Sequence, residues 1–179
     1  MRTVRKVALV SLLVLGWLLP TTSTSADGPA PRVAIAHGLG VEVPAGWHVV
    51  RQRVSDVLDP YPRLAMATFA VRLSPHSCEC GTPNLENLPR RGAFLLVWEY
   101  LHVYKQSLTK IPSRPSRFTV AQDNRRWSEC AGPSWGTSFR AAGRVFGVEV
   151  YFGRAAGKQV FIHVDQILDS LRVSRVSGD

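Results

Sequence analysis

Ser134 to Phe152 reads SWGTSFRAAGRVFGVEVYF, which is a strand, a reversal and a second strand. Ser134 to Arg140 carries β-favouring residues, and Ala141-Ala142-Gly143 supplies the reversal. Arg144 to Phe152 resumes with a period of two. Phe146, Val148, Val150 and Phe152 are uniformly apolar and are expected to face the core. Val145, Gly147, Glu149 and Tyr151 occupy the opposite side. Immediately afterwards the period changes. Val160, Val164, Ile167, Leu168 and Leu171 fall at i, i+4, i+7, i+8 and i+11, which predicts a helix over Lys158 to Leu171 with one apolar stripe.

Working towards the N-terminus, Ala93 to Leu101 (AFLLVWEYL) is apolar enough for a central strand, and Leu64 to Leu73 (LAMATFAVRL) reads as another. A long proline-containing loop separates them. Residues 111–117 (IPSRPSR) predict an extended connector, because each proline fixes its φ and restrains the residue before it. Val41, Glu42 and Val43 alternate, Pro44-Ala45-Gly46 reads as a turn, and Trp47, Val49 and Val50 resume a strand, so a hairpin is expected there. Strands first and a helix last imply an α+β fold. The expectation is a mostly antiparallel twisted sheet with a C-terminal helix packed on one face.

The first 26 residues read differently. Arg2, Arg5 and Lys6 precede an apolar run, Val7 to Leu19, which Pro20 ends; Thr24-Ser25-Ala26 then supplies small residues ahead of Asp27. This is the tripartite pattern of a secretory signal peptide. As a helix the run spans only about 20 Å against a hydrocarbon core of ~30 Å. Cleavage is therefore the expected outcome, with an uncleaved membrane anchor as the alternative. Residues 27–36 read as a flexible lead-in and 37–176 as a single globular α+β domain.

The chain has 179 residues and a net charge of +9, of which the leader carries three cations and no acid. The remaining cations are dispersed, and no run exceeds two, at Arg90-Arg91 and Arg125-Arg126. A nucleic-acid binder would concentrate them in a stripe, so nucleic acid is not an expected partner. The arginine-rich charge reads first as the codon bias of a GC-rich genome; attraction to anionic envelope polymers or lipid headgroups is the sharper alternative.

GVEVPAGWHV near the start, FRAAGRVFGVEVYFG after the middle and ILDSLRV at the end together resemble a group of small uncharacterised exported domains from high-GC Gram-positive bacteria. The opening strand–turn–strand and the closing helix are also similar in order to the Mog1/PsbP-type sandwich. The resemblance implies fold and export and brings no activity or cofactor.

Cys78, Cys80 and Cys130 are the three cysteines. In an exported chain a disulfide is the first expectation. Closure within C-x-C is strained, so Cys80–Cys130 is favoured and Cys78–Cys130 is the alternative. His76, Cys78, Cys80 and Cys130 could instead supply one imidazole and three thiolates to Zn²⁺ or Cu(I). The spacing departs from a zinc knuckle, and no thioredoxin-like context surrounds the pair for redox exchange. The histidines show no H-x-x-x-H or H-E-x-x-H pattern, Ser134 lacks the G-x-S-x-G elbow, and no glycine loop precedes a helix to cradle phosphate. Glu99, inside an apolar strand, is expected on the solvent face of the sheet or paired with an arginine such as Arg140; a buried carboxylate there would need a partner and could have a raised pKa.

Arg114 and Arg117 on the connector, with Arg140 and Arg144 flanking the reversal, would form an anion-binding surface if they converge. Trp127 and Trp135, which bracket Cys130, read first as packing residues; if exposed they could stack on envelope sugars. The functional expectation is an exported, non-enzymatic domain without cofactor, located outside the cell or in its envelope. Its partner would be an anionic envelope polymer, a lipid surface or an envelope protein. A metal-handling or thiol-redox protein using the cysteines is the alternative.

Overall fold

A computed structural model describes residues 32–73, 83–103, 105–121, 125–128 and 132–175. In chain order the elements are β1 (Arg32–Ala36), β2 (Leu39–Val43), β3 (His48–Val49), β4 (Tyr61–Ala67), β5 (Ala93–Tyr100), α1 (Lys105–Leu108), β6 (Arg126–Ser128), β7 (Gly132–Ala141), β8 (Arg144–Phe152), α2 (Lys158–Ser170) and β9 (Arg172–Val173). The strands form two antiparallel sheets, one ordered β1-β2-β9 and one ordered β3-β4-β5-β8-β7-β6. This is a mostly-sheet α+β fold.

The β7–β8 hairpin forms as its residue pattern predicts. Arg140 pairs with Val145 and Ala141 with Arg144. Ala142 and Gly143 between them have φ of 50° and 80°. Two positive φ values give the turn whose twist matches the flanking strands, and glycine takes the second without steric penalty. β8 pairs with β5 along eight residues, from Ala93↔Phe152 to Tyr100↔Val145. These two strands are the centre of the larger sheet.

Both sides of that centre are buried. Phe146, Val148, Val150 and Phe152 share one apolar cluster with Leu64, Met66, Leu95 and Val97. The same cluster contains Phe161, Val164, Ile167 and Leu168 of α2, and the Phe161 ring stacks on Phe152 with centroids 4.5 Å apart. The other set of β8 is not a solvent face: Tyr151 is buried with Phe94, Leu96 and Trp98, against Val54 and Leu85 from the loops. Strand periodicity cannot register this, because the covering residues come from irregular segments distant in sequence.

The N-terminal region departs from expectation. β2 and β3 flank the Pro44-Ala45-Gly46 turn but do not pair with each other. β2 lies between β1 and β9, whereas β3 pairs with β4 in the other sheet. The hairpin partner of β2 is β1, so the lead-in expected over 27–36 gives way to strand at Arg32. β4 starts earlier than expected and ends at Ala67; Leu73 makes an isolated bridge to Leu85. The connector runs beside the end of β7, where Arg114 N–H donates to Arg140 O and Arg140 N–H to Pro112 O, each at 2.8 Å. Among the described residues no helix is long and apolar enough to cross a membrane.

Candidate anion-binding cleft

The four arginines singled out from the sequence are used separately. Arg114 Nη2 donates to Leu168 O and Asp169 O at 2.8 and 2.9 Å, so its charge sits on the carbonyl end of α2, where cations are favoured. Arg140 Nε donates to Ile111 O at 2.7 Å. Arg117 is exposed. Arg144 is buried. Trp135 is partly buried against the main apolar cluster. Trp127 contributes backbone to β6. His76, Cys78, Cys80 and Cys130 lie outside the described residues, so the geometry bears on neither the bridge nor the metal set.

Glu99 is 6% exposed, and its partners are Arg144 and Arg63 rather than Arg140. Arg144 grips the carboxylate with both arms, Nε to Oε1 at 2.7 Å and Nη2 to Oε2 at 2.8 Å. Arg63 Nε adds a bond to Oε2 at 2.5 Å. The fork-on-fork pair with Arg144, outweighing the desolvation that opposes it and aided by Arg63, holds the Glu99 carboxyl below its ordinary pKa. Arg144 also reaches the smaller sheet, donating to His37 O at 3.1 Å and to Ser174 O at 3.3 Å. One carboxylate between two guanidiniums leaves a net positive charge.

That charge borders a cleft. A cavity of about 870 Å³ opens between β1–β2 and the start of the larger sheet. Val33, Ala34, His37 and Val43 line one side; residues 48–54 and Tyr61 to Ala65 line the other. Its cationic or cationisable groups are His37, His48, Arg51, Arg53 and Arg63, and none of its lining residues is Asp or Glu. Arg51 makes no ion pair with any described residue, and Arg53 pairs with Asp56 at 3.1 Å where both are exposed. Exposed pairs of this kind are weak and readily exchanged for another anion. Tyr61, with the Arg63 guanidinium 4.8 Å from its ring centre, adds an aromatic wall.

The arrangement suits electrostatic capture of an anion and holds no nucleophile–base pair. Among the described residues the one carboxylate–imidazole contact, His102 Nδ1 to Asp59 Oδ2 at 3.0 Å, lies in an exposed turn. There Asp59 also accepts the N–H groups of Leu101 and His102. Burial pushes the Asp59 carboxyl up, but these donors outweigh it and hold its pKa below the ordinary value. Among the described residues no group of three His, Cys, Asp or Glu side chains gathers as a metal site.

None of the five cationic or cationisable side chains of the cleft was singled out from the sequence as a binding residue. The signal was there in a plain form: between His37 and Ser55 the chain carries two histidines and two arginines and a single acid, Glu42. No family model, curated protein or solved structure matches the chain.

Proposed function

We propose that this chain is an exported, non-enzymatic binding domain that holds an anionic partner in the cleft between β1–β2 and residues 48–65. The observation that carries the reading is the lining itself: five cationic or cationisable side chains and no Asp or Glu among the described residues that line about 870 Å³, with Glu99 behind Arg63 and exposed Asp56 beside Arg53 as the nearby carboxylates. Focused positive potential in a concave, low-dielectric site raises the local concentration of anions. The partner class stays as the sequence suggested, an anionic component of the envelope or a protein there, while the site moves from Arg114, Arg117, Arg140 and Arg144 to His37, His48, Arg51, Arg53 and Arg63.

Support for the export half comes from the leader, Arg2 to Ala26, and from the resemblance to exported domains. With export goes a Cys80–Cys130 bridge, read out as the loss of two hydrogens in the intact mass under non-reducing conditions. We also take α2 to lie across the face of the larger sheet that bears Val97 and Val148, since its apolar stripe shares their cluster.

Titration of the chain with a glycerol-phosphate polymer tests the reading. Binding should weaken steeply with salt, and Arg51→Ala with Arg53→Ala should weaken it about tenfold, the loss of roughly 1.4 kcal/mol. Absence of binding at low ionic strength, or binding unchanged by the double substitution, contradicts it.

A further inference from the structure

The cleft is bordered by strand edges, and the two edges differ. Successive side chains of a strand point to opposite faces. A cavity lined by consecutive residues of a strand, such as Val33 and Ala34 or Tyr61 to Ala65, therefore borders its edge as well as a face. β3 covers β4 only at Ala67 and Met66, and the Val50 N–H to Ala65 O bond at 2.8 Å ends the pairing. The rest of β4 is poorly suited to another strand. Pro62 has no N–H, and the register breaks between Pro62 and Leu64; prolines and bulges are the usual devices that close an edge.

β1 has neither device. Its five residues, RVAIA, pair with β2 alone among the described residues, and Val33 is 65% exposed. The turn that joins β1 to β2 is His37-Gly38, with φ of 50° and 73°. A two-residue turn of this kind makes the closing pair, Ala36 and Leu39, the hydrogen-bonded one. The ladder then alternates, so Ala34 and Arg32 also bond to β2, while the N–H and C=O groups of Val33 and Ile35 point away from it. Among the described residues, then, the outward N–H and C=O groups of β1 have no strand partner, and this edge stands beside a cationic wall.

We infer that the occupant of this cleft is an extended acidic segment of a partner protein, added as a strand to the open edge of β1, with its carboxylates directed at Arg51, Arg53 and Arg63. The inference rests on the anionic-partner reading and narrows it to a peptide. Main-chain bonds to Val33 and Ile35 hold the segment, and alternate side chains select for charge, the division of labour of strand addition. A phosphodiester polymer offers the charge without the N–H donors.

The test uses the full-length chain and an eight-residue peptide of alternating glutamate and valine, beside the same peptide N-methylated at alternate residues so that one edge cannot donate. The unmodified peptide is expected to bind and the methylated one, of equal charge, to bind about tenfold more weakly, the scale of one lost hydrogen bond. Val33→Pro removes an outward N–H that the β1–β2 ladder does not use; it should weaken the unmodified peptide similarly while leaving the methylated one unaffected. Equal affinity for both peptides overturns strand addition and leaves the anionic reading standing. Failure of both peptides while the glycerol-phosphate polymer binds does the same. Failure of every anionic probe overturns both. Self-association of the chain through β1, abolished by Val33→Pro with no peptide binding, assigns the edge to a second copy and overturns the inference.

Discussion

Glu99 shows how a single residue ties the two sheets together. Its carboxylate is held by Arg144, and Arg144 in turn donates to the β1–β2 turn at His37 and to Ser174 beyond β9. Removing one partner of such a group leaves buried charge uncompensated. Glu99→Gln is therefore expected to lower the unfolding free energy by about 3–5 kcal/mol in a denaturant titration. The pH dependence carries a definite sign. Because the folded pKa is held below the ordinary glutamate value, the stabilisation is complete above that value and is lost as pH falls through the folded pKa. Wild type should lose stability across that acid range, and Glu99→Gln should lose less. The sequence shows that Glu99 would need a partner if buried. It does not show which one, because Arg63 and Arg144 reach it from other strands.

At the scale of elements, α2 and the connector stabilise each other. Asp169 Oδ1 accepts the Phe118 N–H at 2.7 Å, Asp165 Oδ1 accepts the Val120 N–H at 2.8 Å, and Arg114 covers the last carbonyls of the helix. Burial raises the Asp165 pKa, the Val120 N–H opposes this, and the charge of Asp169 one turn away adds to it. A raised pKa means that the folded form takes up the proton first, so the strain is present at neutral pH and relieved as pH falls through that pKa. Asp165→Asn keeps an acceptor for Val120 and removes the like charge. It should stabilise the protein by about 0.2–0.5 kcal/mol at pH 7, with the gain vanishing in acid. Leu168, fully buried on the stripe, should cost about 2–5 kcal/mol when changed to alanine. Both are read from thermal or urea unfolding. The helix and the β7–β8 hairpin were legible because their periodicities are local. The β2–β3 region was misread for an equally physical reason: a turn signal between two β-rich runs does not say that those runs pair. β1 itself, RVAIA, carries no alternation to announce a strand.

For the whole molecule, the sequence made the class of fold legible and left its division into two sheets unseen. The cleft exists because of that division. Its arginines looked like scattered cations along the chain, and only the separation of β1–β2 from β3–β4 sets them around one space. The arginines chosen from the sequence meanwhile serve the helix end, the connector and the buried ion cluster. An anion should settle between β1–β2 and residues 48–54. Hydrogen–deuterium exchange of the full chain, with and without saturating glycerol-phosphate polymer or acidic peptide, reads this directly. Slowed exchange confined to residues 33–37 and 48–54 is the predicted result. Protection centred on 114–117, or no change at 33–54 under conditions of demonstrated binding, would contradict it.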